Sequence, residues 1–172
     1  MMDFSGQEAE SKDIKNEDRI PKTTITGADQ KSEIPIPDVS LQMKIVNVGI
    51  NLPDSYPKIT LEEILPPHRR LTIKTGAMEG IAVSYAQNKI QTKRPLTHIL
   101  ILDILNNFSL TLERVLITKA IGELFLTEIV ISGPKGQKRI DARPSDALAI
   151  ALYHTPEVPI MVSEEVLISR GY

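Results

Sequence analysis

From Leu41 onward, apolar and polar positions fall into short periodic runs. LQMKIVNVGI (41–50) alternates like a strand. Pro53, Asp54, Ser55 and Pro57 mark a loop. KITLEEIL (58–65) predicts a second strand, PPHRR breaks it, and LTIKT (71–75) predicts a third, so the three suit an antiparallel meander. Met78, Ile81, Ala82, Tyr85 and Ala86 then recur at helical spacing. That spacing predicts a helix capped by Thr75, with those residues packed inward. Gly80 weakens it by up to about 1 kcal/mol relative to alanine. After the basic connector KIQTKRP, Pro95 suits a first helical position, and 96–108 reads as a second helix, apolar nearly all round and mostly buried.

Residues 112–119 and 123–132 are strand-like, reversing through Ala120, Ile121 and Gly122. GPKGQ turns the chain again into KRIDAR, which completes a three-stranded antiparallel unit. In QKRIDARPSDALAIALYH (137–154), a period of two puts Arg139, Asp141 and Arg143 on one strand face. Pro144 ends the strand, Ser145 is the expected N-cap, and Asp146 falls in the first turn, where a carboxylate is favoured. Ala147 to Leu152 form a small-residue apolar helix that suits close burial. A short strand at 159–162 and a terminal helix capped by Ser163 follow. The expected fold is α+β: one compact domain over 41–172, with mixed or antiparallel strands and three to four helices. Residues 1–40, polar and interrupted by Pro21, Pro35 and Pro37, read as a flexible leader.

Charge sharpens that division. Residues 1–40 hold nine acids and five bases, whereas 41–172 hold thirteen acids and fifteen bases. The body is mildly basic, too weakly to predict nucleic-acid binding by charge alone. No stretch has the roughly 20 apolar residues of a membrane-spanning helix, and no secretory signal is visible, so the cytoplasm is the expected compartment. The absence of cysteine excludes disulfides and thiolate chemistry.

No phosphate-binding glycine loop, HExxH metal motif or serine nucleophile elbow occurs. The candidates are single polar residues near element ends. His98 is suited to proton exchange near neutral pH, or to capping and pairing. Asp103 lies about 140° around the second helix from His98, so the two are not a local acid–base pair. Asp141 and Asp146 suit a hard cation such as Mg²⁺, or pairing with Arg139 and Arg143. Arg94, Arg139 and Arg143 suit phosphate through the guanidinium fork, or ordinary ion pairs. His68, Arg69 and Arg70 read first as an exposed turn. An anion held by Arg139, Arg143 and the helix N-terminus competes with a closed clasp in which Asp141 neutralises both arginines.

KRPLTHILILDIL (93–105) and IDARPSDALAIAL (140–152) carry a further signal, with TGAMEGIAVSYA (75–86), ERVLITKAIGELFLTEIVI (113–131) and VPIMVSEEVL (158–167) as ordered companions. In that order and spacing, they resemble the bacterial and plant bifunctional nuclease domain, formerly a domain of unknown function, over about 41–171. The resemblance implies a compact α+β domain that commonly self-associates, and DNase and RNase activity. Its motifs single out Arg94, Pro95, Thr97, His98, Asp103, Asp141, Arg143, Pro144, Ser145 and Asp146. Glu79 falls on an acidic position of the early helix motif, followed by Gly80 where the family usually has alanine.

Two functional readings follow. In the first, the protein is a nuclease hydrolysing phosphodiester bonds of DNA or RNA. His98, Asp103, Asp141 and Asp146 are its candidate catalytic residues, and Arg94 and Arg143 its phosphate ligands. Asp141, Asp146 and Glu79 are candidate ligands for Mg²⁺ or Mn²⁺. In the second, it is a non-enzymatic homo-oligomeric module, structural or regulatory, in which the same polar groups lock the fold or an interface. Neither reading involves a membrane, and both expect a homo-oligomer.

Overall fold

The computed structural model of the chain describes residues 39–50 and 55–172. The expected leader therefore lies outside the described residues up to residue 38, as do residues 51–54 of the first loop. Apolar alternation yields the first meander: β1 (Ser40–Gly49), β2 (Lys58–Glu63) and β3 (Arg70–Lys74), all antiparallel. Ile59 faces Ile73 and Leu61 faces Leu71 across the β2–β3 ladder, and all four are buried. On β1, a shift in pairing between Ile45 and Asn47 restores Val48 to the core-facing side opposite Ile59.

Two helices follow, α1 (Ala77–Gln87) and α2 (Thr97–Asn107), and then a second antiparallel meander. Its strands are β4 (Thr111–Ile121), β5 (Leu124–Gly133) and β6 (Gly136–Ala142). The β4–β5 reversal occupies Gly122 and Glu123, two residues later than expected at its start, with Gly122 at φ +57°, where glycine is tolerated without strain. The chain ends with α3 (Pro144–Tyr153), β7 (Ile160–Ser163) and α4 (Glu164–Arg170).

β7 joins the two meanders. It pairs antiparallel with β1, Leu41 opposite Val162, and parallel with β4, Leu116 beside Met161. The result is one mixed seven-stranded sheet, in the order β3-β2-β1-β7-β4-β5-β6. α3 packs against α1, α2, β4 and β5. Ala147, Leu148, Ala149, Ile150 and Ala151 are all buried, as expected of a helix enclosed on every side. No helix among the described residues is long and apolar enough to cross a membrane.

Four local expectations are corrected. Ser145 is not the N-cap of α3: Arg143 is, and Pro144 occupies the first turn, where its missing N–H costs nothing. Ser145 is thereby drawn inside the helix and buried. Thr75 does not cap α1: its N–H bonds the Pro57 carbonyl, and Gly76 takes the cap position. Pro95 lies before α2, because Leu96 is extended (φ −70°, ψ 160°) and the helix begins at Thr97.

The fourth correction concerns which faces are buried. In α1 the inward side is Gly80, Val83 and Ala86, whereas Met78, Ile81 and Tyr85 are exposed. A Cβ on Gly80 would stand 2.6 Å from Pro57 Cβ, so the glycine permits a close approach that a larger residue would obstruct. In α2 only Leu102 and Leu105 are buried. Leu100, Ile104 and Phe108 form an exposed stripe, 50%, 48% and 71% accessible.

The PPHRR turn holds more than an exposed tip. Arg69 donates from Nε and Nη2 to Glu63, at 3.1 and 2.7 Å, and from Nη1 and Nη2 to Glu164, both at 2.9 Å. Glu63 also accepts the Arg69 backbone N–H at 2.8 Å. This ties the end of β2 to the start of α4, where the Ser163 hydroxyl accepts the Val166 N–H as the expected cap. The Arg69 guanidinium holds both carboxyls below their ordinary pKa, while Glu164 and Glu63 raise that of Arg69.

Candidate active site

α3 begins where β6 ends, and its entrance carries the charged residues. Asp146, in the first turn of α3, accepts from Arg143 Nε at Oδ2 (2.8 Å) and lies 3.3 Å from His98 Nε2 at Oδ1. Arg143 Nη1 donates to Glu79 Oε1 at 3.1 Å. His98 comes from the first turn of α2 and Glu79 from the first turn of α1. Three helix starts thus converge on one chain of contacts, His98–Asp146–Arg143–Glu79.

Gly76 contributes by omission. The Glu79 carboxylate folds back over it into space that a side chain there would occupy. Asp146, with a smaller part from Glu79, holds the Arg143 guanidinium above its ordinary pKa. Arg143 remains 68% exposed, and its Nη2 has no partner among the described residues. His98 is more enclosed, with 14% of its side chain accessible. If Nε2–H donates to Asp146, Nδ1 is left as the basic nitrogen.

His98, Asp146 and Arg143 line an open depression of about 550 Å³. Thr97, His98, Asp141, Arg143 and Asp146 form its polar side. Its floor is aliphatic: Ile101, Leu105, Ile129, Ile131, Ile140 and Ile150. On the other side of Arg143, a depression of about 330 Å³ is lined by Glu79, Lys74, Glu123 and Ser145. Arg143 therefore stands on the ridge between two concavities.

Other candidates are placed elsewhere. Asp103 is exposed and lines a separate depression of about 550 Å³ with Lys89, Asn106, Tyr153 and His154. This agrees with the wide angle between it and His98. Arg94 is exposed in the connector between α1 and α2 and has no side-chain bond to the His98–Arg143 group among the described residues. Asp141 sits opposite Glu128 in the β5–β6 ladder. Strand alternation turns it to the sheet face opposite Ile140 and Ala142, although it borders both depressions beside Arg143. Arg139 shares that face and bonds Glu128. The clasp in which Asp141 neutralises both arginines is therefore not formed: Arg143 is paired by Asp146 and Glu79 instead.

Asp141, Asp146 and Glu79 are not gathered as a cation site. Among the described residues, no group of three histidine, aspartate or glutamate side chains is placed to hold a metal ion. Both Asp146 oxygens and one Glu79 oxygen already face His98 or Arg143. These residues do not by themselves fit Mg²⁺ or Mn²⁺, and no chemical step is assigned to an ion.

Sequence reasoning missed the His98–Asp146 contact, which spans 48 positions, and Arg143 as the link to Glu79. The motif residues were visible, but their pairing had no local signal. The aliphatic floor was missed for the same reason: its members come from α2, β5, β6 and α3.

Comparison with known proteins adds an independent line. Residues 59–172 match the family model described as the bifunctional nuclease domain. Two uncharacterized proteins of Mycobacterium tuberculosis, MT1877 from strain CDC 1551 / Oshkosh and Rv1829 from strain ATCC 25618 / H37Rv, are each 32% identical over 130 residues, covering 76% of both chains.

Proposed function

Because the chain belongs to the bifunctional nuclease domain family, we propose that it is a nuclease hydrolysing phosphodiester bonds of DNA or RNA. The observation that carries this reading is the His98–Asp146–Arg143 chain lining an open depression, with Glu79 bracing Arg143 from behind. Phosphodiester hydrolysis needs a water aimed at phosphorus and donors for the charge that builds on the phosphate oxygens. His98 is the general base: Asp146 orients it, and Nδ1 takes the proton of the attacking water as the water oxygen bonds to phosphorus, the P–O bond to the leaving sugar oxygen breaks, and that oxygen takes a proton from solvent. Arg143 binds a phosphate oxygen through Nη2, while Asp146 and Glu79 hold its guanidinium in place. Glu79 and Asp146 are positioning residues in this scheme.

The test is an assay of the highly purified full chain on DNA and RNA, with and without EDTA. His98→Gln, Asp146→Asn and Arg143→Ala are run beside Asp103→Asn. The first three lower cleavage, whereas Asp103→Asn, in a separate depression, leaves it near wild type. Cleavage that survives in folded His98→Gln and Arg143→Ala proteins belongs to a contaminant and defeats the proposal. Loss on EDTA treatment assigns a divalent ion to the reaction.

A second reading, a non-enzymatic homo-oligomeric module, is favoured by the Leu100, Ile104 and Phe108 stripe on α2. An exposed apolar row at helical spacing suits a protein partner, here a second copy. Self-association without cleavage of either nucleic acid selects this reading.

A further inference from the structure

The depression beside His98 and Arg143 is chemically two-sided, and this deepens the nuclease reading on which it rests. Its polar side carries the imidazole, the exposed guanidinium and the Thr97 hydroxyl beside the Asp141 and Asp146 carboxylates, whereas its floor is built from Ile101, Leu105, Ile129, Ile131 and Ile150 with Ile140 exposed at its edge. A phosphate on the rim needs none of that aliphatic surface. We propose that the floor receives the nucleobase attached to the bound phosphate, so the site takes an unpaired nucleotide and the protein acts on single-stranded nucleic acid.

Three features support that occupant. A volume of about 550 Å³ is in the range of small-molecule sites, and the depression is open and lined by Arg143. A base within a duplex is stacked and paired, and it reaches a concave pocket only after leaving the stack. An unpaired base offers two broad apolar faces at once. The floor side chains are aliphatic, so they read neither base edges nor the sugar 2′ position. The same pocket accordingly accepts different bases and both DNA and RNA strands.

Ile140 is the residue through which to test this. It lies on β6 and is 47% exposed, whereas Ile129, Ile131 and Ile150 belong to the buried core. Ile140→Thr keeps a β-branched side chain while removing apolar surface. Ile140→Phe adds a ring on which a base stacks. The probe is a short fluorescent single strand, as DNA and as RNA, beside the same strand annealed to its complement. Anisotropy of a phosphorothioate-linked strand, which resists cleavage, measures binding, and gel analysis of the ordinary strand measures cleavage.

The single strand is expected to bind about tenfold more tightly than the duplex, the scale of burying the apolar faces of one base against aliphatic side chains. Ile140→Thr weakens single-strand binding and Ile140→Phe strengthens it, with sedimentation and thermal melts matching the wild type. Equal affinity and cleavage for single strand and duplex overturn the pocket assignment while leaving a nuclease in place. The pocket assignment falls equally if the two Ile140 variants bind alike, or if they alter self-association and not binding. Failure of the wild type to bind or cleave any nucleic acid overturns both the assignment and the function beneath it.

Discussion

Replacing Arg69 with methionine isolates the bridge between β2 and α4. Glu63 is 3% exposed and takes three of its bonds from this one residue: the backbone N–H, Nε and Nη2. The variant keeps the backbone bond and loses both side-chain bonds, leaving a buried carboxylate without a counter-charge. Breaking a fully buried ion pair costs about 3–5 kcal/mol. Because 26% of the Arg69 side chain meets solvent, the lower end applies, about 3 kcal/mol. With a urea m-value of about 2 kcal/mol/M, the midpoint falls by about 1.5 M. The pH dependence follows from the same bridge. Arg69 lowers the folded-state pKa of Glu63 beneath the ordinary 4.5, so the stabilisation is complete above that pH and fades as acid protonates the folded carboxylate. Urea melts followed by circular dichroism at pH 7 and pH 4 check both parts. The gap between wild type and variant narrows at pH 4, and adding Glu63→Gln to Arg69→Met recovers part of the loss. An unchanged midpoint at pH 7, or a gap that widens in acid, refutes the reasoning.

Gly80→Ala sets helix propensity against space. The gain of about 1 kcal/mol from propensity is outweighed by the contact with Pro57, an overpacking cost of about 1–3 kcal/mol, so a thermal melt shows a lower midpoint. A raised midpoint contradicts the close approach of α1 to Pro57. At the site, His98→Gln lowers kcat by about 10²–10⁴-fold, the usual contribution of a general base, as measured on an oligonucleotide substrate. A change of less than a few fold removes His98 from the base role. For the α2 stripe, sedimentation at micromolar concentration shows a dimer or larger species, and Leu100→Ser with Phe108→Ser shifts it toward monomer. An unaltered distribution removes the stripe from the contact.

Period-two runs marked both meanders because each strand pairs with a neighbour a short turn away, and those turns carry glycine or proline signals. Asp146 in the first helical turn and Ser163 as a cap were legible for the same reason: both are decided within four residues. The buried face of α1 was misread because Met78, Ile81 and Tyr85 look like core residues by size. Close packing selected the small side, Gly80, Val83 and Ala86, and that choice depends on Pro57, distant in the sequence. The α3 cap was displaced by one strong local rule, proline in the first turn, over another, serine at the cap. The site itself was legible as an inventory of residues and illegible as a geometry. His98, Glu79 and Asp146 lie on three helices whose starts are brought together by the packing of α1 and α2 on α3.

β7 has a consequence for the order in which this molecule is assembled. β1 to β3 and β4 to β6 are each contiguous hairpin ladders that can zip up from nearby residues. The strand that joins them spans only Ile160 to Ser163, and its partners, beginning at Ser40 and Val115, lie far back along the chain. Until those four residues arrive, β1 and β4 each present an unsatisfied edge, the surface on which strands of different molecules mispair. During synthesis both edges are made long before the segment that seals them. The pairing of β7 with β1 is the least local in the sheet, Ser40 opposite Ser163, the kind of contact for which loop closure must come first. A substitution that weakens that pairing exposes two edges at once, so mispairing between molecules is set by a four-residue strand that carries none of the candidate site residues.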